Sequence, residues 1–158
     1  MAKKNHSVKT IEVIENLLME DYLGVLAYID EDSFVVQVVV PFIFFEKNIY
    51  ILIKKNEEKL NLHSENKKIS FVSFNDLNSK FENEVNKMAF KYLEIYLTGF
   101  LKHVKDQKKL KKFCEEFKRK YYSLSNNESK EICDFKEVSI YMIDTEEIHA
   151  AEVTGGLH

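Results

Sequence analysis

The chain has 158 residues, 45% of them hydrophobic and 31% charged, with a formal net charge of −3 and a pI near 6.0. That length fits one domain over residues 1–158, and the apolar share fills one core of ordinary size. A weakly acidic balance gives no general attraction to phosphate backbones, so no nucleic-acid partner is expected. The longest apolar run, Phe34 to Phe45, is cut by Gln37 and by Pro41, the single proline, and falls short of the roughly 20 residues that cross a bilayer. No membrane partner is therefore expected. The basic start Met1-Ala2-Lys3-Lys4-Asn5-His6 leads into charged helical sequence and not into an apolar signal segment, which points to the cytoplasm. Cys114 and Cys133 match neither a zinc nor a redox spacing and read as ordinary thiols.

From Ser7 to Asp21 the apolar residues Val8, Ile11, Ile14, Leu17 and Leu18 recur at helical spacing, with Ser7 as N-cap. Strands rich in Val, Ile, Phe and Tyr follow at Tyr22–Ile29, Phe34–Phe44, Ile49–Lys54 and Ile69–Phe74, separated by short polar turns such as Asp30-Glu31-Asp32-Ser33. A barrel strand normally alternates, so the unbroken apolarity of Val35 to Val40 implies that a helix or a second subunit covers the outer surface. Asn56 to Asn66 reads as a short helix, with Asn56 as cap, Glu57 and Glu58 in the first turn, and Leu60 and His63 on one side. Asn75 to Lys87 is polar and without period, which predicts a loop. Phe90, Tyr92, Ile95 and Leu97 lead into Gly99-Phe100-Leu101 as one long strand whose glycine permits a bend or a close backbone approach. Asp106 then caps a helix on which Leu110, Phe113, Cys114, Phe117 and Tyr121 form the apolar stripe and the lysines take the other face. Val138, Ile140 and Met142 predict a final strand before a small, flexible tail from Ile148 through Gly155-Gly156 to His158.

This order gives a mainly β fold with flanking helices. The run from Gly24 to Phe71, taken with Gly99, resembles the FMN-binding split-barrel family, whose best-known member is pyridoxamine 5'-phosphate oxidase. The resemblance implies a split β-barrel of the FMN-binding type, forming a homodimer with the flavin in a groove at the subunit interface. It further implies an oxidoreductase acting on a small molecule, with the redox chemistry residing in the cofactor. In that family the flavin phosphate is held by the third strand and the helix after it, which directs the search to Tyr50 through Lys59. Lys59 matches the family's basic position, and Lys54 and Lys55 add cations beside the helix start, where a phosphate is favoured. The polar pair that commonly ends that strand is replaced here by Leu52 and Ile53. Val39, Val40 and Pro41, the last aligned with a proline often present in the family, would supply an apolar slot and backbone groups for the flavin ring. The plain reading of the same residues is that the lysines are solvated charges near Glu57 and Glu58 and the valines are core.

Two alternatives stay open. A branch of the same fold family binds or degrades haem through a C-terminal histidine, which would make His158 or His149 an iron ligand. The scaffold without a cofactor, as a small-ligand or protein-binding module, is favoured by Leu52 and Ile53. Hydrolytic chemistry is set aside, because no serine sits in a Gly-x-Ser-x-Gly elbow and neither cysteine has a histidine nearby in sequence. The basic stretch Lys102 to Lys120 contains Asp106, Glu115 and Glu116 and reads as a solvated helix face.

Overall fold

The computed structural model describes residues 5–8, 10–55, 66–76, 80–81, 88–122 and 137–157. In chain order these form β1 (Asn5–Val8), α1 (Ile11–Glu20), β2 (Leu23–Ile29), β3 (Val35–Phe45), β4 (Asn48–Lys54), β5 (Lys67–Asp76), β6 (Lys80–Phe81), β7 (Met88–His103), α2 (Gln107–Tyr122) and β8 (Val138–Leu157). Every pairing is antiparallel. The strands run in the order β1-β8-β4-β3-β2-β5-β7-β6, and the extra β7–β8 ladder closes β8, β4, β3, β2, β5 and β7 into a barrel. Closure removes the exposed edges that an open sheet of such apolar strands would present. This is the mainly β split barrel with flanking helices that the sequence predicts.

Alternation sets what each strand buries. Leu26 and Tyr28 of β2, Val40 and Phe42 of β3, Ile69 and Phe71 of β5, and Ile95, Leu97 and Leu101 of β7 fill the barrel, together with Ile49, Ile51 and Ile53 of β4. α1 sends Ile14 and Leu18 into the same cluster. The other face of β4 carries Tyr50 and Leu52, which pack outside the barrel against Phe113, Phe117 and Leu110 of α2. α2 therefore covers part of the barrel wall, and the unbroken apolarity of β4 follows from burial on both faces. Asp106 caps α2 as expected, accepting the Lys109 N–H at 2.9 Å. No helix among the described residues is long and apolar enough to cross a membrane.

Several local expectations are corrected. Ser7 does not cap α1: it lies in β1, paired with Glu152 of β8, and the helix starts at Ile11 after an extended Thr10. The flexible C-terminal tail is instead a continuation of β8 through Leu157, laddered to β7 on one side and to β1 on the other. Small residues such as Ala150, Ala151 and Gly155 hide this strand in the sequence, because its order comes from non-local pairing and not from β propensity. The predicted loop at 75–87 begins as the end of β5 and contains β6. The helix predicted over Asn56–Asn66 lies outside the described residues except for Asn66 itself, which has a positive φ of 67° in the turn before β5.

Gly99 sits where the β7–β8 register shifts, and a Cβ there would stand 2.2 Å from the carbonyl oxygen of Asp144. Because the obstacle is backbone, the ladder itself would have to move. We expect Gly99→Ala to lower unfolding free energy by about 1–3 kcal/mol, whereas Glu147→Ala, at an exposed position on the same ladder, stays within about 0.5 kcal/mol. Urea unfolding of both variants measures the contrast.

Candidate functional site

β3 is shared between two neighbours: Val35–Pro41 pair with β2, and Phe42–Phe45 pair with β4. The hand-over falls at Pro41, which has no N–H to donate to a ladder. β4 follows β3 only as far as Ile51 and continues along β8 to Lys54. Among the described residues the two strands therefore part beyond the Phe42–Ile51 pair, and this is the split in the barrel. Its walls are the unladdered edge of Val35–Pro41 and the end of β4, where Lys54 and Lys55 are exposed.

The strand pleat sorts the predicted contacts. Val39 points outward and is 66% exposed, whereas Val40 points into the barrel and is 3% exposed, so the two do not share one slot. Pro41 is half-buried beside the split, opposite Leu23. Tyr50 is buried in the α2 cluster and stacked on Phe45 at 4.3 Å between ring centroids. Leu52 is half-buried against the same cluster and Ile53 faces the barrel interior. Lys54 and Lys55 lie together at the split; Lys59 and His158 lie outside the described residues.

His149 is not in a tail but in β8, paired in register with Tyr96. Successive register pairs place Val39 beside Val25, Val25 beside Val72, Val72 beside Tyr96, and Tyr96 beside His149. This outward row crosses five strands and spans roughly 19 Å at the usual strand spacing. With Val35 and Phe74, 69% and 64% exposed, it forms an apolar outer face that runs from the split to His149. Contiguous exposed apolar surface of this kind is uncommon among scattered surface hydrophobics.

A second feature was not legible as a site. The last turn of α1 has no basic residue, and its orphan Leu18 carbonyl is met from α2 by the Lys120 ammonium at 3.3 Å. The same ammonium lies 3.3 Å from the Phe42 carbonyl and over the Phe42 and Tyr22 rings, at 4.5 and 5.4 Å from their centroids. The adjacent Tyr121 hydroxyl accepts the Phe42 N–H at 3.0 Å and donates to the Tyr22 carbonyl. Asp21, buried at the α1–β2 junction, accepts from the Ser73 hydroxyl at 2.5 Å and from the Asn75 amide at 3.1 Å. Burial lowers the Lys120 amine to about 8 against the opposing pull of the Asp21 charge. Burial likewise pushes the Tyr121 hydroxyl up to about 12. The signal in sequence was spacing: Lys120 follows Phe113 by seven residues and Phe117 by three, which puts it beside the buried stripe and not among the solvated lysines.

Lys120 also lines a groove of about 790 Å³ between the end of α1, the β3–β4 hairpin and α2. Apolar walls come from Met19, Tyr22, Ile43, Phe44 and Phe45. The groove lies by the hairpin turn, roughly 20 Å along β4 from Lys54 at the usual rise per residue.

Comparison of the sequence with family models and with curated proteins gives no match. Solved structures do match. A putative 5-nitroimidazole antibiotic resistance protein from Bacteroides thetaiotaomicron superposes with a TM-score of 0.73 at 10% identity, covering 99% of this chain and 92% of that one. The FAD and heme binding protein from Mycobacterium smegmatis gives 0.66 at 14% identity over 92% of this chain and 71% of that one. A putative pyridoxamine 5'-phosphate oxidase from Corynebacterium glutamicum gives 0.57 at 14% identity, with 93% and 92% covered. The fold of this chain is thus the split barrel of the pyridoxamine 5'-phosphate oxidase type.

Two outcomes test the Lys120 and Tyr121 contacts. Tyr121→Phe leaves the Phe42 N–H within 3.2 Å of the Tyr22 carbonyl, so we expect a loss of about 1–2 kcal/mol and not an unfolded chain. For Lys120 the folded value, about 8, lies below the ordinary 10.5, so the unfolded chain binds this proton more tightly. The resulting penalty on the folded state is full below about pH 8 and is relieved as pH rises toward 10.5. Wild type should therefore gain stability relative to Lys120→Met across that window, as read by denaturant titrations at pH 7.5 to about 10.

Proposed function

We propose that this protein is a cytoplasmic, homodimeric flavoprotein that holds FMN at the split between β3 and β4 and serves the oxidation or reduction of a small molecule. The observation that carries the reading is the parting of the two strands beside Pro41, with an apolar outer face on one side and Lys54 and Lys55 on the other. A flavin has the matching parts: a flat apolar ring with polar edges, and a phosphate of nearly two negative charges. Backbone groups on the unladdered edge of Val35–Pro41 suit the ring's polar edge, and Val39 and Pro41 its apolar body. Lys54 and Lys55, with Lys59 following, suit the phosphate. Bound flavin would supply the electron transfer, and the chain's own residues would bind, orient and exclude water. Neighbours of the same fold whose names state FAD binding support a flavin in general; the short phosphate cluster favours the mononucleotide. Val35, Val39, Phe74 and Tyr96 give the second subunit an apolar face to cover.

His149 gives one specific reason for a second reading. It stands beside Tyr96 at the end of the apolar row, where its imidazole would supply an iron ligand to a haem. His158 remains the other candidate ligand.

Flavin fluorescence quenching with FMN, FAD and riboflavin, followed by haemin titration, separates these readings. We expect FMN to bind, and the Lys54→Glu/Lys55→Glu double variant to weaken FMN by at least about tenfold while leaving riboflavin unchanged. Failure of all three flavins to bind overturns the flavoprotein reading. A haem absorption band that is lost in His149→Ala would replace it, and a chain that takes up neither cofactor is a binding module. Val39→Asp should convert a mass of two chains in light scattering to one and abolish flavin binding together; an unchanged mass removes this face from the assembly.

A further inference from the structure

The groove between α1, the β3–β4 hairpin and α2 is a separate matter from the split, and it contains three cations of unequal chemistry. Lys112 is paired with Glu46 at 2.8 Å, and this pairing raises its amine above the ordinary value, so it stays protonated. Arg119 is paired with Glu116, and a guanidinium does not deprotonate in a protein. Lys120 differs from both. Its stem is half-buried between Tyr22 and Phe42, and its nitrogen is held in one place by two backbone carbonyls at 3.3 Å.

We propose that this groove is a binding site for a small aromatic or apolar aldehyde, which Lys120 captures as an imine. The volume of about 790 Å³ falls in the usual range of small-molecule sites. Tyr22, Phe44 and Phe45 provide aromatic surface for the body of the ligand. A lysine near its ordinary 10.5 is neutral in less than about one part in a hundred at pH 8. Burial lowers the Lys120 amine to about 8, so its neutral share there exceeds that of an ordinary lysine, which is the condition for a nucleophilic lysine.

The step balances without an oxidant or reductant. The nitrogen lone pair of the neutral amine attacks the carbonyl carbon, the C=O π pair moves to oxygen, and a proton passes from nitrogen to oxygen to give a carbinolamine. Loss of the hydroxyl as water, with release of the second nitrogen proton, forms the C=N bond. Amine plus aldehyde thus become imine plus one water. Glu20 and Glu115 also line the groove, and the protons pass to and from solvent.

The test uses the full chain with benzaldehyde at pH 8, borohydride reduction of any imine, and peptide mass mapping. Exposed Lys108 and Lys111 of the same helix serve as internal references. The proposal expects Lys120 to carry at least about tenfold more adduct than either reference, in line with its larger neutral fraction. Its labelling should rise through about pH 8, and that of the references through the ordinary lysine range near 10.5. Labelling of Lys120 that does not exceed the references, or that rises only near pH 10.5, overturns it. Lys120→Arg keeps the charge and should lose the preferred adduct; should that variant not fold, the wild-type labelling map decides alone.

Discussion

The division of β3 at Pro41 is the constraint on which the rest of the molecule depends. This strand of eleven residues ladders with β2 over Val35–Pro41 and with β4 over Phe42–Phe45, and the change of partner falls between Pro41 and Phe42. Proline marks that point because it withholds one donor from the ladder, and the next residue, Phe42, resumes pairing on the other edge. Phe42 is fully buried and packs edge-on against Phe71 at 5.2 Å across the barrel, so the strand cannot slide without emptying the core. Gly24 serves the same packing. A Cβ there would stand 2.1 Å from the Phe71 ring, so only glycine lets β2 pass the ring that Phe42 rests on.

The two residues of α2 that reach this point explain why the helix docks where it does. Its stripe of Leu110, Phe113 and Phe117 supplies the apolar attraction to β4, which by itself is non-directional. Lys120 and Tyr121 supply direction, since each meets backbone groups of Phe42 and of the α1–β2 junction that secondary structure leaves available. A helix held only by its stripe would tolerate rotation or a shift along its axis. One held also by a hydroxyl and an ammonium on fixed backbone atoms does not.

Much of this fold was readable from periodicity. The helical stripe of α2, its Asp106 cap, and the order of β2 to β5 follow from local apolar spacing, which both the helix and the pleated strand express directly. What escaped was non-local. β1 exists because β8 offers it an edge, and the small residues of β8 are ordered by β7; no local signal in Asn5–Val8 or Ala150–Leu157 records either fact. The candidate site shows the same division. Pro41, Lys54 and Lys55 stand out in the sequence because residue type alone identifies a missing donor or a cation. Val40 and Tyr50 were grouped with them although the pleat turns both away, Val40 into the barrel and Tyr50 toward α2. Lys120 was taken for a solvated lysine because charge outweighed its position beside the buried stripe. Identities of 10% and 14% to proteins of the same fold have the same origin: a barrel demands alternation and closure, not particular side chains, and function resides in the few positions free to differ.

The hairpin that joins β3 to β4 shows why the barrel opens at one end and not the other. Its central residues, Glu46 and Lys47, both have positive φ, at 49° and 60°, a conformation that glycine or asparagine adopts more readily. Such a turn matches the right-handed twist of the flanking strands and holds Phe45 against Asn48 in register, which offsets its local cost. The Asn48 amide donates to the Glu46 carbonyl at 2.8 Å, and the Glu46 carboxylate pairs with Lys112 of α2. At this end turn geometry, aromatic stacking of Phe45 on Tyr50 and a helix contact all act on the hairpin. Toward Lys54 the turn no longer acts on the pair, and among the described residues β8 is the one strand that β4 ladders with there, while Leu52 stays against α2 and Ile53 in the barrel. A hairpin fixed at its turn and released beyond Ile51 has to splay at the far end, so the position of the split follows from where the turn and α2 hold the strands together.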